Sequence, residues 1–341
     1  MSNVIFRPWG DAEWLFTKHK SENWAAIACC ATETRSVDSI LALSRVVKWM
    51  SVVSIWDPDP ADDDEQNKVL AAASRRLSKD IKCPYAAHQA DLKASLDTVR
   101  DLVDEAVAKS SDIILDITSF PKRWFFPMVR FLCDDERVAN LIVVYTLGDG
   151  YADQISENYE VLRPIQGFPS VEGRTEHDLA FVGVGFHSSN MLAMFGDDHP
   201  RALRLLFPFP PGPPGLKRNW RFVQHVDRAL RFDEELQVWR PMEHLQLSAL
   251  DVSQAFDALR ILSDKGTRTS LMAPYGPKPI SLAMCLFAVM AEQSGLPEVP
   301  VYYSQPQRYH LKYTSAAKMR SGRLETLAYS IKHNGQTSYK I

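Results

Sequence analysis

Long apolar runs are missing from this chain of 341 residues; none approaches the roughly 18 residues of a membrane-spanning helix. The first nine residues, Met1 to Trp9, carry no apolar signal-peptide core, so a cytoplasmic location is expected. Cysteine is scarce and unpaired. Cys29, Cys30, Cys83, Cys133 and Cys285 form no CxxC and fall on apolar stretches, which suits buried reduced thiols. Charge of one sign is also lacking. A net charge of -3 exerts no global pull on nucleic acid or an anionic membrane, so any phosphate site is local. There is no GxxxxGK[ST], HExxH, GxSxG, Cys/His quartet or acidic metal triplet; no metal and no cofactor are expected, and no catalytic residue stands out. The acidic stretch 57–65 suits a solvated loop and helix start better than a magnesium site.

What remains is an ordinary globular composition, 45% hydrophobic and 24% charged, at a length that suggests two domains. Short apolar runs alternate with amphipathic stretches of helical spacing. Strands are expected at Trp24–Cys30, Ser51–Trp56, near 82–87, at Ile113–Ile117 and at Leu141–Tyr145. Helices are expected at Val37–Met50, 62–79, Asp91–Lys109 and from Trp124. A second series follows. Its strands are Asp178–Gly185, Ala202–Phe207, Glu243–Leu247, 269–274 and Val299–Tyr303. Its helices begin at Met191, Trp220, Asp251 and Ile280. Strand–helix alternation implies parallel sheets. The expected fold class is α/β, with two Rossmann-like lobes related by internal duplication. The layout is a leader 1–23, a first lobe 24–150, a connector 151–177, a second lobe 178–310 and a basic, tail-like extension 311–341.

The duplication is most visible where Asp116-Ile-Thr-Ser-Phe-Pro-Lys122 and Pro274-Tyr-Gly-Pro-Lys278 leave their strands and open apolar helices, with the lysines 156 positions apart. Proline suits a first helical turn, but lysine opposes the dipole there by about 0.3–1 kcal/mol. A matched pair suggests that Lys122 and Lys278 each face an anion; the alternative is two solvated lysines leaning outward. Thr118 and Ser119 add hydroxyl donors. Arg123 extends the first site or makes a surface ion pair. Gly276 permits close backbone approach to a ligand, and Tyr275 either stacks on a base or belongs to the core. His187, Ser188, Ser189 and Asn190 follow the fragment Gly183-Val-Gly185, which lacks the third glycine of a dinucleotide fingerprint. They read a base or ribose, or they cap a helix. Arg308 covers a bound ligand or lies in an ordinary loop. Asp116 orders the Thr118 turn, or accepts a ribose hydroxyl or a proton.

Strand, then Asp-Ile-Thr-Ser-x-Pro-Lys, then helix resembles the fourth-strand motif of CARF domains and of their two-lobed relatives, the SAVED domains. The resemblance implies a Rossmann-like sensor of cyclic oligonucleotides in bacterial antiviral defence, with Thr118, Ser119 and Lys122 contacting the ligand backbone. The second copy keeps Lys278 but not the Thr-Ser pair. No effector module is visible, so the resemblance implies a separate effector subunit. Expected partners are a nucleotide between the lobes, such a subunit, and a further copy of the chain; no membrane is expected. Two other functions fit the same layout: a scaffold subunit of a defence or repair complex, and a two-lobed glycosyltransferase that uses a nucleotide sugar.

Overall fold

The computed structural model describes residues 7–19, 21–56, 63–152, 156–171, 173, 176–185, 199–210, 232–233, 238–239, 241–311 and 314–341. The chain forms two compact units, one of residues 1–159 with 306–338, the other of residues 160–305 with 339–341.

The first unit is built on β2 (Trp24–Cys30), β3 (Trp49–Trp56), β4 (Tyr85–Asp91), β5 (Asp112–Asp116) and β6 (Asn140–Thr146), after a short β1 (Trp9–Asp11). β2 to β6 are parallel and lie in the order β6-β5-β2-β3-β4. Every residue of β2 and β6 is buried, as continuous apolar strands covered on both faces require. The crossovers are α2 (Thr34–Leu43), α3 (Asp63–Asp80), α4 (Leu96–Val107) and α5 (Lys122–Asp134), following an N-terminal α1 (Ala12–His19).

Both termini complete this sheet. The stretch expected as a polar tail contains the strand Thr326–His333, antiparallel to β6 on one side and to β1 on the other. Its central residues, Ala328 to Lys332, are buried. Lys332 stays inside because its ammonium donates to the carbonyls of Cys133 (3.2 Å) and Asp135 (2.9 Å), where α5 ends and its dipole favours a cation.

The second unit has β7 (Leu179–Gly183), β8 (Leu203–Phe209), β9 (Met242–Ser248) and β10 (Ser270–Pro274), all parallel, in the order β9-β8-β7-β10. Of the expected fifth strand, Val301 adds a single parallel bridge beside Met272, and Tyr302–Tyr303 pairs outside this sheet; Pro300 has no N–H to extend the ladder. α6 (Val252–Leu262) packs on α7 (Lys278–Gln293), with Phe256 edge-on to Phe287 at 6.0 Å. Every residue of α7 from Pro279 to Ala291 is buried, which explains its continuous apolarity.

The protein is therefore mixed α/β with large, mostly parallel sheets. In each sheet the first parallel strand lies between the second and the fourth, which puts the crevice of an open α/β sheet beyond the carboxyl ends of β2 and β5, and of β7 and β10.

Several boundaries differ from the sequence reading. α2 ends at Leu43, not Met50, because Trp49 starts β3. Asp91 ends β4 and accepts from Lys93 N in a turn; the residue that caps α4 is Ser95, through Thr98 N. Asp251 does cap α6, through Gln254 N at 2.9 Å. The stretch read as a connector pairs Ser156–Tyr159 with Pro306–Tyr309, and Arg163–Pro164 with Tyr302–Tyr303. Phe232–Asp233, expected inside a helix, pairs antiparallel with Val238–Trp239. The helices expected from Met191 and Trp220 otherwise fall outside the described residues.

Candidate functional site

In the first unit the crevice turns are built by a buried carboxylate. Asp116 ends β5; one oxygen accepts from Thr118 N at 2.9 Å and the other from Ser39 Oγ at 2.6 Å. This Asx-type turn directs the chain away from the sheet. Thr118 Oγ1 accepts from Thr146 N at 2.8 Å, tying the turn to the end of β6. Phe120 is buried and stacks on Trp124 at 6.4 Å, so this ring is core. Pro121 is the N-cap and Lys122 the first residue of α5. The helix has no side-chain cap and no acidic residue in its first turn, although Lys122 is only 9% exposed.

Across the crevice, the turn after β2 supplies an ion pair between Glu33 and Arg35. Arg35 contacts Glu33 through Nη2 at 2.9 Å and Nε at 3.1 Å, and both side chains are at most 2% exposed. Arg35 also donates to the carbonyls of Thr146 (3.2 Å) and Thr118 (3.5 Å) and to Tyr151 Oη (3.4 Å). Glu33 accepts from Ser119 Oγ at 2.7 Å and Thr314 Oγ1 at 2.8 Å. The guanidinium lies 5.7 Å from the Tyr145 ring centre and 5.9 Å from that of Tyr151. Burial, then the neighbouring Tyr151, raises the Tyr145 phenol above its ordinary value, so it stays a neutral hydrogen-bonding group. A buried ion pair with this many charge-assisted bonds holds three turns in one arrangement. It also places a carboxylate, the chain's own anion, between β2 and β5.

The second unit solves the same junction with glycine. A Cβ at Gly185 would sit 1.8 Å from the Tyr275 carbonyl oxygen, and one at Gly276 would sit 3.3 Å from the Val184 oxygen. The turns after β7 and β10 thus touch backbone to backbone. The observed need for Gly276 is this contact within the chain. The Tyr275 ring is buried in the core cluster, 5.5 Å from Tyr303, which places it in core packing and not on an open stacking face. Pro277 is the N-cap of α7 and Lys278 its first residue, again with no side-chain cap and no acidic residue in the first turn.

The structure thus gathers Thr118, Ser119, Lys122 and Arg123 at one turn, and Tyr275, Gly276 and Lys278 at another. His187, Ser188, Ser189 and Asn190 lie outside the described residues. Arg308, expected in the second lobe, lies on the strand Pro306–Tyr309 in the first unit. The sequence reading missed Tyr151 and Thr314, and gave Arg35 and Thr146 no role of their own. The signal available for Arg35 was its position just past a fully apolar strand.

A separate cavity of about 350 Å³ lies between edge strand β4 and α4, lined by His88, Gln89, Thr98, Asp101 and Glu105 among others. His88 Nε2 lies 2.8 Å from Glu105 there. None of the residues chosen from sequence lines it. Among the described residues, no helix is long and apolar enough to cross a membrane.

No family model matches the chain, and no curated protein matches it. Among solved structures, the cytoplasmic domain of a prokaryotic cation chloride cotransporter is similar over 84% of this chain and 96% of that one, at 7% identity and a TM-score of 0.23. At that score the likeness carries no argument about fold or function.

Proposed function

We propose that this protein is a sensor of a nucleotide second messenger, cyclic or oligomeric, that offers one phosphate-binding helix start in each unit and signals to a separate effector in antiviral defence. The observation that carries the reading is the matched pair of uncapped helices. α5 and α7 each begin with lysine directly after the strand that flanks the first strand of its sheet. The helices just before them, α4 and α6, are capped by Ser95 and Asp251. A helix start with outward N–H groups, an adjacent cation and no carboxylate in its first turn favours a phosphate. The strand order common to the two sheets supports descent of both units from one duplicated ancestor.

The bond from Ser119 to Glu33 favours a second reading. In it the first turn is a structural joint, and the chain is a scaffold subunit of a defence complex that binds partners through a retained fold.

A melting series separates the two. The sensor reading expects at least one cyclic or linear oligonucleotide to raise the Tm of the wild type and to leave Lys122→Ala/Lys278→Ala unshifted. No shift with any member of the panel would contradict it.

A further inference from the structure

At the opposite end of the first sheet, where β5 and β6 begin, two histidines meet. His19 ends α1 and His333 ends the C-terminal strand. Their rings are 4.7 Å apart at 87°, and the two Nδ1 atoms are separated by 3.2 Å. His333 Nδ1 also lies 3.0 Å from Asn140 Oδ1.

The outer contacts fix the protons. Asn140 and Asp112 face each other as the first residues of β6 and β5. Asn140 Nδ2 donates to Asp112 Oδ1 at 2.7 Å, and Ser21 Oγ donates to the other Asp112 oxygen. The Asn140 amide is thereby oriented with its oxygen toward His333, and that oxygen also accepts from Asn334 N at 3.1 Å. That oxygen can only accept, so His333 Nδ1 carries a proton, which requires a lone pair on His19 Nδ1 and puts the His19 proton on Nε2, 3.1 Å from Ser330 Oγ. The His333 Nδ1 proton is shared between His19 and Asn140, and His333 Nε2, 3.3 Å from Asn334 Nδ2, is left as an acceptor. One proton therefore sits among three donor atoms held by a second layer of hydrogen bonds. The Asn334-Gly335 turn, with φ of 49° and 73°, holds His333 from the far side as a two-residue hairpin.

We propose that His19, His333 and Asn140 form a zinc-binding site that fastens α1 to the end of the C-terminal strand. Two ligands about 2.0–2.1 Å from a tetrahedral zinc lie roughly 3.3 Å apart, close to the separation already present. The imidazoles supply two nitrogens, the amide one oxygen, and solvent the fourth position. On binding, the His333 proton moves from Nδ1 to Nε2, and the exposed Asn334 side chain turns its oxygen toward it; both rings stay neutral, as ligation requires. The contacts of Ser330 with His19 and of Asp112 with Asn140 are the outer-layer partners that such ligands use. Among the described residues no three His, Cys, Asp or Glu side chains gather for a metal, so this is a two-imidazole site and not a Cys- or carboxylate-rich one.

The test uses the full chain without an affinity tag, stripped with a chelator and titrated with zinc sulfate by calorimetry, with melting followed in parallel. One-to-one binding is expected, weakened about tenfold or more in both His19→Ala and His333→Ala, unchanged in His88→Ala, and accompanied by a rise in Tm. Cobalt(II) would report the same site through ligand-field absorption that His333→Ala abolishes. His333 is exposed, so its variant decides the matter even if His19→Ala fails to fold. Absence of saturable zinc binding to the wild type, or equal binding by His333→Ala, would overturn the proposal.

Discussion

Replacing Arg35 by methionine removes the cation that holds the β2, β5 and β6 turns together. The side chain is 2% exposed and donates to Glu33, to the carbonyls of Thr118 and Thr146, and to Tyr151. Methionine has similar length, so the cavity is small and the loss is electrostatic. Glu33 is left fully buried without its counter-ion, while the Ser119 and Thr314 hydroxyls still donate to it. Stranding one partner of a buried pair costs about 3–5 kcal/mol, because the remaining charge keeps its desolvation penalty without its counter-ion. For a unit of this size each kcal/mol lowers Tm by about 2–4 °C, so a fall of about 6–20 °C is expected. Adding Glu33→Gln to Arg35→Met removes the stranded charge and keeps acceptors for both hydroxyls, so more than half of the loss should return. Thermal and urea melts of the wild type, the two single variants and the double variant form the required cycle. A loss below about 1 kcal/mol for Arg35→Met would refute the reasoning, since a cost that small is typical of a solvent-exposed pair. So would a double variant less stable than Arg35→Met alone.

Other outcomes follow from the same structure. Gly185→Ala should destabilise the second unit by about 1–3 kcal/mol, because its Cβ would overlap the Tyr275 carbonyl; a native-like melt would show that this turn yields freely. Lys332→Met should cost about 1–3 kcal/mol by removing the buried ammonium's bonds to the Cys133 and Asp135 carbonyls at the end of α5, measurable by urea unfolding. All five cysteines are buried, and burial pushes Cys30 up to about 11 and Cys133 up to about 12. Native protein should therefore react slowly with Ellman's reagent at pH 8, and all five thiols should react after denaturation. The sign is that of a raised pKa: the neutral thiols' contribution is complete below the unfolded thiol pKa and is lost as pH climbs toward about 11–12.

The parallel strands were legible because both of their faces are covered. Trp24–Cys30 and the run at 141–145 are unbroken apolar segments, and their bounds differ from the structure by no more than a residue. The starts of α5 and α7 were legible too, since proline followed by an apolar run marks a helix entry. Edge elements were harder. β4 alternates half-buried and exposed positions with polar His88 and Gln89 among them, so its signal was weak and its start was placed too early. The strand Thr326–His333 was missed because Lys332 and His333 make it look like a solvated tail. Only the tertiary fold brings the α5 carbonyls to the Lys332 ammonium. The candidate site divides the same way. Helix starts and their lysines are local and can be read in sequence. The partnership of Glu33 with Ser119, 86 positions away, and with Thr314, 281 positions away, is set by sheet order and leaves no mark on either segment.

The central claim is that Lys122 and Lys278 hold phosphates. The most direct measurement is an equilibrium titration of a fluorescently labelled cyclic oligonucleotide against the wild type, Lys122→Ala, Lys278→Ala and the double variant, at low and moderate salt. The account predicts saturable binding that weakens with salt, falls in each single variant and vanishes in the double variant. Equal affinity in wild type and double variant would contradict it.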